Sequence, residues 1–360
     1  MLRGRARRRW LPGCSLVCLA LLSAGAPAAG ADGALRLNDI QLLGSHNSYK
    51  LAMPAERMVA LRAANPELAA TLEYAHVPLT EQLELGVRKL ELDVFYDPGG
   101  ALFGRAGSTA GPSAFPVLHV QNLDDRSSCA NLFDCLQPLA AWSDAHPGHL
   151  PLFVSFNAKD DVIDRPGFLR PRPFGEDAWL ALDAELRAAL GSRLLSPAEV
   201  FAGGELRWPE LDSARGRILT VLDEGGEKRR EYASRWRERA LFANLPEGEP
   251  GAAILIVNDP EADFARIQRL VRAGFIVRTR ADADTLEARS GSTARRDAAF
   301  ASGAQLISTD YYLPAESFGT GYQVMMPGGG VGRCNPVRVA SACVLDDLPQ
   351  EALQEGSASR

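Results

Sequence analysis

The chain is short of positive charge. Its 39 lysines and arginines are outnumbered by 45 aspartates and glutamates, for a formal net charge of -6. That balance excludes a nucleic-acid binder, because phosphate contacts demand a basic face. It also excludes adsorption to anionic membranes by charge alone. Long hydrophobic runs are missing too, with one early exception. Arg3, Arg5, Arg7, Arg8 and Arg9 precede an apolar stretch from Leu11 to about Leu22, and Ala26-Pro27-Ala28 and Ala29-Gly30-Ala31 follow as candidate cleavage sites. Residues 1–31 read as a signal peptide, too short and too early for a spanning helix. The paired arginines leave a twin-arginine route open beside the general one. Removing 1–31 takes away five arginines and no acids, so the charge moves from -6 to -11. Cysteine is scarce, at six, and Cys14 and Cys18 leave with the leader. Cys14 lies ahead of the apolar stretch, which argues against a lipoprotein anchor. The remaining four form two close pairs, Cys129/Cys135 and Cys334/Cys343, each read as a local disulfide in an oxidising compartment. Four cysteines permit three connectivities; zinc is the other reading, and the lack of a C-x-x-C knuckle counts against it.

Internal repeats, low-complexity tracts and linkers are absent as well. What is there, at 46% hydrophobic and 23% charged residues, is the composition of a globular chain. Eight apolar, β-branched runs recur: Ile40-Leu43, Val87-Val94, Pro116-Val120, Pro151-Phe156, Arg217-Leu222, Ala253-Val257, Phe275-Val277 and Gln305-Ile307. Runs without polar alternation suit strands buried on both faces of a parallel sheet. Helical stretches lie between them, among them Glu176-Leu190, Lys228-Arg239, Ala262-Ala273 and Thr293-Ser302, with Gly274 and Gly303 as helix-ending glycines. Eight such units predict a single-domain α/β fold, a (β/α)8 TIM-type barrel over 32–345, with 346–360 as a flexible tail. A doubly wound open sheet is the alternative, weakened because no glycine-rich fingerprint follows the first strand.

The polar residues fall where such a barrel needs them, after the apolar runs. Glu91 and Asp93 are two apart, so on a strand both carboxylates point to one spot. Like charges that converge raise one pKa unless a cation lies between them. With Asn47 and Asn157 they form a hard-oxygen set suited to Ca2+, flanked by His46 and His119 as acid–base groups. The opposing reading pairs Glu91 and Asp93 with Arg88 and Lys89 as exposed ion pairs. Arg278 and Arg280 alternate on one face, either as a phosphate clamp or as partners of Asp282 or Asp284. Lys159 is a phosphate-binding cation or a strand-end lysine reaching for water. Tyr311 or Tyr312 forms a floor for a sugar ring, or else core. His76 reads as structural, His146 and His149 as exposed around the Pro147-Gly148 turn, and Lys228 to Arg239 as a solvated helix face.

The ordered series Ser45-His46-Asn47-Ser48-Tyr49, Leu83 to Asp93 (L-x-x-G-x-R-x-x-E-x-D) and a run ending in His119 resembles the X region of phosphoinositide-specific phospholipase C. The resemblance is closest to the secreted, calcium-dependent bacterial branch, through Arg278-Thr279-Arg280-Ala281-Asp282, Ser308-Thr309-Asp310-Tyr311 and Arg333-Cys334-Asn335-Pro336, and spans about Leu37 to about Cys343. It implies a secreted or periplasmic, monomeric Ca2+-dependent phosphodiesterase acting on a phospholipid or glycerophosphodiester at a transient membrane surface. In the implied reaction the inositol 2-hydroxyl attacks phosphorus, diacylglycerol leaves with a proton from His119, and His46 steadies the phosphorus charge. Eukaryotic members place glutamate where this chain has Asn157, which removes one negative charge and a candidate base. Alternatives are a glycerophosphodiester or sphingomyelin-type phosphodiesterase on the same barrel, or a secreted non-catalytic binding protein.

Overall fold

A computed structural model describes residues 33–103 and 113–348 of the chain. The signal peptide expected over 1–31 and most of the tail expected over 346–360 lie outside the described residues. Eight parallel strands follow in order: β1 (Ile40–Ser45), β2 (Lys89–Val94), β3 (Leu152–Ala158), β4 (Ile218–Leu222), β5 (Phe242–Ala243), β6 (Ile254–Ile256), β7 (Ile276–Arg280) and β8 (Leu306–Thr309). Their spatial order is β5-β4-β3-β2-β1-β8-β7-β6, the cyclic order of a barrel. Among the described residues no ladder joins β5 to β6. A side chain spans that seam instead, Asn244 Oδ1 accepting the Ile256 N–H at 3.0 Å. The result is a nearly closed (β/α)8 barrel. An antiparallel β9 (Gly332–Cys334) pairs with the start of β1, and β10 (Val344–Leu345) with β9.

Every residue of β1 and β2 is buried, as strands lined inside by side chains and covered outside by helices must be. The barrel's lower interior is apolar, with Phe153, Val221, Ile254 and Leu306. Above it the lining turns polar with Lys89, Ser155 and Arg278. Gly44 is what lets Lys89 cross the interior: a Cβ there would lie 2.7 Å from Lys89 Cβ, closer than packed carbons approach. Glu176–Leu190 is helical as its periodicity predicts, and Gly274 and Gly303 take φ of +98° and +81° where helices turn back into strands.

Three expectations change. Pro116-Val120 is no barrel strand; Val117 and Val120 make only isolated antiparallel bridges, to Val94 and Asp124. Proline lacks the N–H a central ladder needs, and the run is carried on the connection from β2 to β3. Its place is taken by β5, two residues long and too short to register as a run. His149 is buried rather than exposed, held by Ser143 Oγ at 2.8 Å and the Leu150 carbonyl at 2.7 Å. Nor is the stretch from Lys228 to Arg239 simply solvated. Lys228 bridges Asp160 and Glu224, each at 3.0 Å, and Arg239 is buried between Glu176 and Asp183. Both cysteine pairs are disulfides, Cys129–Cys135 and Cys334–Cys343, so the zinc reading falls away.

Candidate active site

The C-terminal ends of the strands gather the polar residues at one mouth. His46 follows β1, its N–H bound to the Thr309 carbonyl of β8 at 3.3 Å. The next residue, Asn47, adopts φ +46°, a left-handed turn that asparagine tolerates better than most residues. The turn buries the Asn47 amide, whose Nδ2 donates to the Tyr74 hydroxyl at 2.7 Å. That leaves its oxygen as the group able to accept.

Glu91 and Asp93 converge as their spacing requires. The Glu91 carboxylate is divided. Its Oε2 accepts from Lys89 Nζ at 2.5 Å and Arg278 Nη2 at 2.8 Å, both from within the barrel. Oε1 faces the mouth, 3.6 Å from His46 Nε2 and 3.4 Å from Asn157 Nδ2. Burial pushes the Glu91 pKa up, but Lys89 and Arg278 outweigh it and hold the carboxyl well below its ordinary value. Asp93 offers Oδ1 to the same Asn157 nitrogen at 3.1 Å, and Lys159 Nζ stands 3.5 Å from Oδ2. The ion-pair reading of the sequence was thus half right: Lys89 does pair with Glu91, but both are buried. Arg88 turns away to Asp347.

Each imidazole is backed by a carboxylate. His46 Nδ1 lies 3.0 Å from Asp310 Oδ1, and Arg280 binds the other oxygen of Asp310 at 3.2 Å. Arg280 Nη1 also points at His46 Nε2, at 3.4 Å. That arrangement fits a neutral ring with its proton on Nδ1 and a lone pair on Nε2. Burial, then the Arg280 charge, lowers the His46 pKa from its ordinary value although Asp310 and Glu91 raise it. His119 Nδ1 pairs with Asp124 Oδ2 at 2.8 Å. Both histidines keep 18% of their side chain exposed, enough to meet a substrate.

The sequence-derived set is not all at the open mouth. Arg280, Lys159 and Asn157 reach it. Arg278 is only 3% exposed and is held by Glu91, by Ser308 at 3.0 Å and by Asn258 at 2.5 Å. Tyr311 is buried edge-on against Phe318 and Tyr322. Asp124 and Asp223 went unnoticed in the sequence. Asp223, at the end of β4, sits 3.9 Å from Arg278, and burial raises its pKa to about 6. Neither lies in a periodic pattern; a strand end for Asp223, and five residues' separation from His119 for Asp124, were the only signals.

A family model for Ca2+-dependent phosphoinositide phospholipase C matches residues 35–336. The chain belongs to that family. It is accordingly a Ca2+-dependent, phosphoinositide-specific phospholipase C-like phosphodiesterase. Among solved structures, an apo calcium-dependent phosphoinositol-specific phospholipase C from a Gram-negative bacterium, Pseudomonas sp., matches at TM-score 0.53. It is 18% identical over 86% of this chain and 97% of that one. A myoinositol complex of the same description matches at 0.51 and 18% identity, over 77% and 90% of the two chains. A Ca2+-dependent phosphatidylinositol-specific phospholipase C from Streptomyces antibioticus gives 0.49 at 18% identity, over 78% and 96%. At 18% identity the two Pseudomonas matches speak for the fold. No curated protein sequence matches the chain.

Membership in this phospholipase C family makes Ca2+ the expected cofactor, and the donor chemistry at the mouth fits it. Glu91 Oε1 and Asp93 Oδ1 converge on one point, now held by the partly positive Asn157 amide nitrogen. A half-turn of that amide brings its oxygen to the same place. Among the described residues no three His, Cys, Asp or Glu side chains are grouped to hold a metal alone; amide oxygens such as those of Asn47 and Asn157 would extend the carboxylate pair. Two carboxylates and two amide oxygens make a hard set, suited to Ca2+.

Proposed function

We propose that the chain cleaves phosphatidylinositol-type lipids to diacylglycerol and a cyclic inositol phosphate, with His46 as base and His119 as acid. Two observations support this reading: each histidine is paired with a carboxylate, His46 with Asp310 and His119 with Asp124, and Glu91 and Asp93 converge on the Asn157 amide. His46 Nε2, neutral and oriented by Asp310, takes the proton of the inositol 2-hydroxyl. The freed oxygen bonds to phosphorus, the bond to the diacylglycerol oxygen breaks, and that oxygen takes a proton from His119. Water then opens the ring with the two roles reversed. Glu91, Asp93, Asn47 and Asn157 would hold Ca2+, which would supply positive charge for the phosphoryl oxygen and for the attacking hydroxyl as it loses its proton. Lys159 and Arg280 add cationic groups at the mouth for the developing phosphoryl charge. Arg278, assigned to phosphate from the sequence, orients Glu91 so that one oxygen faces outward, and Tyr311 supports the wall.

This reading gives His46 a base's work rather than charge stabilisation alone, because its environment favours the neutral ring. It also answers the loss of a carboxylate at Asn157: the base is an imidazole. Val162, Leu286 and Leu313 are exposed apolar side chains on the segments after β3, β7 and β8, and we assign them to transient contact with a lipid surface. Among the described residues no helix is long and apolar enough to cross a membrane. The two disulfides fit export to an oxidising compartment, by way of the leader over 1–31.

The test is purified enzyme on phosphatidylinositol, glycerophosphoinositol and sphingomyelin, with and without Ca2+, followed by phosphorus NMR. A transient cyclic phosphate from an inositol substrate is expected. Cleavage of sphingomyelin alone, or an open phosphate with no cyclic precursor, refutes the reading.

A further inference from the structure

Lys50 directly follows the Ser45-to-Tyr49 segment, yet its side chain is fully buried. Its Nζ donates to the carbonyls of Leu72 at 3.0 Å and Tyr74 at 2.7 Å. A third contact, at 3.5 Å, is with Asp124 Oδ2, the oxygen that accepts His119 Nδ1. Asp124 is itself only 1% exposed, and its Oδ1 has no hydrogen-bond partner among the described residues. Among the described residues the carboxylate behind His119 has one imidazole and one ammonium as its side-chain partners. A neutral donor would satisfy two carbonyls at less desolvation cost, so a buried ammonium here calls for another reason.

The same ammonium lies 4.5 Å from the Tyr74 ring centroid. That ring stacks beneath His46, centroids 5.9 Å apart and planes 29° apart, and its hydroxyl holds Asn47. One cation thus touches the supports of both imidazoles and of the Asn47 amide. Burial lowers the Lys50 pKa and Asp124 raises it, with Asp310 a weaker third influence; the charged partner of His119 is Asp124.

We propose that Lys50 is a positioning residue for the reaction: its ammonium fixes Asp124 against His119, tempers the charge that His119 feels, and pins Tyr74 beneath His46 and Asn47. The role rests on the acid assignment of His119, so the decisive measurement is made without substrate. Proton NMR follows the histidine titrations in wild type, Lys50→Met, Asp124→Asn and the double variant. Losing the ammonium leaves Asp124's charge unshared, so Lys50→Met raises the His119 pKa, whereas Asp124→Asn lowers it. The double variant matches Asp124→Asn. In turnover, Lys50→Met loses about 10- to 100-fold in kcat, as a displaced catalytic group does, with KM changed less than about threefold and the alkaline limb of the pH profile moved up. A folded Lys50→Met with His119 titrating as in wild type overturns the proposal, and so do losses that multiply in the double variant. Should Lys50→Met not fold, nitrogen NMR of the wild-type Lys50 ammonium decides. Its shift is expected to step at the pH where His119 titrates, and a flat signal overturns the coupling. Failure of wild-type turnover on phosphatidylinositol would refute the reaction and leave these titrations standing.

Discussion

Asp310→Asn isolates the couple behind the proposed base, His46, while keeping the size of the side chain. In wild type Asp310 accepts the His46 Nδ1–H at 3.0 Å and lies buried, with Arg280 on its other oxygen. When His46 takes a proton the imidazolium gains that carboxylate's attraction. Two unit charges 4 Å apart are worth about 4 kcal/mol at an effective dielectric near 20. Arg280 cancels part of that, leaving about 3 kcal/mol, or roughly a hundredfold in rate. An amide can also donate to Nδ1 and favour the tautomer with Nε2 blocked, so the expected fall in kcat is about 10²- to 10³-fold. KM should change little, since Asp310 does not face the open mouth. The assay is initial rate on phosphatidylinositol vesicles across pH, with circular dichroism to show the fold intact. Because a base must be neutral, activity climbs as pH rises through the His46 pKa. Asp310 raises that pKa, so its loss should move the acid limb to lower pH. A kcat within threefold of wild type and an unmoved limb would refute the reasoning.

His76 is buried, donates to the His46 carbonyl at 2.7 Å, and has its pKa pushed down by burial from 6.5 to about 4. Between those values the unfolded chain binds a proton that the folded one refuses, so stability falls as pH drops from 6.5 toward 4, by up to about 3 kcal/mol. Denaturant titrations should show a flatter dependence in His76→Gln; equal slopes would discount the residue. Chelation should abolish activity and added Ca2+ restore it, and Asn157→Glu should tighten Ca2+ binding by calorimetry, since ligand charge sets affinity. An unchanged constant means that Asn157 stands off the metal. Gly44→Ala places a methyl 2.7 Å from Lys89 Cβ and should cost about 1–3 kcal/mol in an unfolding titration; a neutral outcome would mean that Lys89 has room to move.

The barrel was legible because buried parallel strands are continuous apolar runs, and seven of the eight runs lie in strands. The failure at Pro116-Val120 is instructive: hydrophobicity reports burial, not ladder membership, and that segment is buried outside the sheet. Its substitute, Phe242–Ala243, is defined by its neighbour β4 rather than by any local pattern. For the site, side-chain alternation was enough to bring Glu91 and Asp93 together. It gave no hint that Glu91 would divide its oxygens between Lys89 below and the mouth above. Partners drawn from distant segments, such as Asp310 for His46 and Lys50 for Asp124, are set by tertiary closure. Arg278 and Arg280 share a face as their spacing indicates, yet one lies below the mouth and the other at it, a difference of depth that strand periodicity does not encode.

The unlaced seam between β5 and β6 has a consequence for where the molecule breathes. His46, Asn47, Glu91, Asp93, Asn157, Lys159, Arg280 and Asp310 come from or follow β3, β2, β1, β8 and β7, five strands that are consecutive in space. The seam lies across the barrel from them, closed by one asparagine and flanked by strands of two and three residues. Local opening therefore costs least there. Amide protons of Phe242, Ala243 and Ile256 should exchange with solvent well before those of Leu92 or Leu42. The wall can part on its far side while the groups gathered at the mouth keep their spacing.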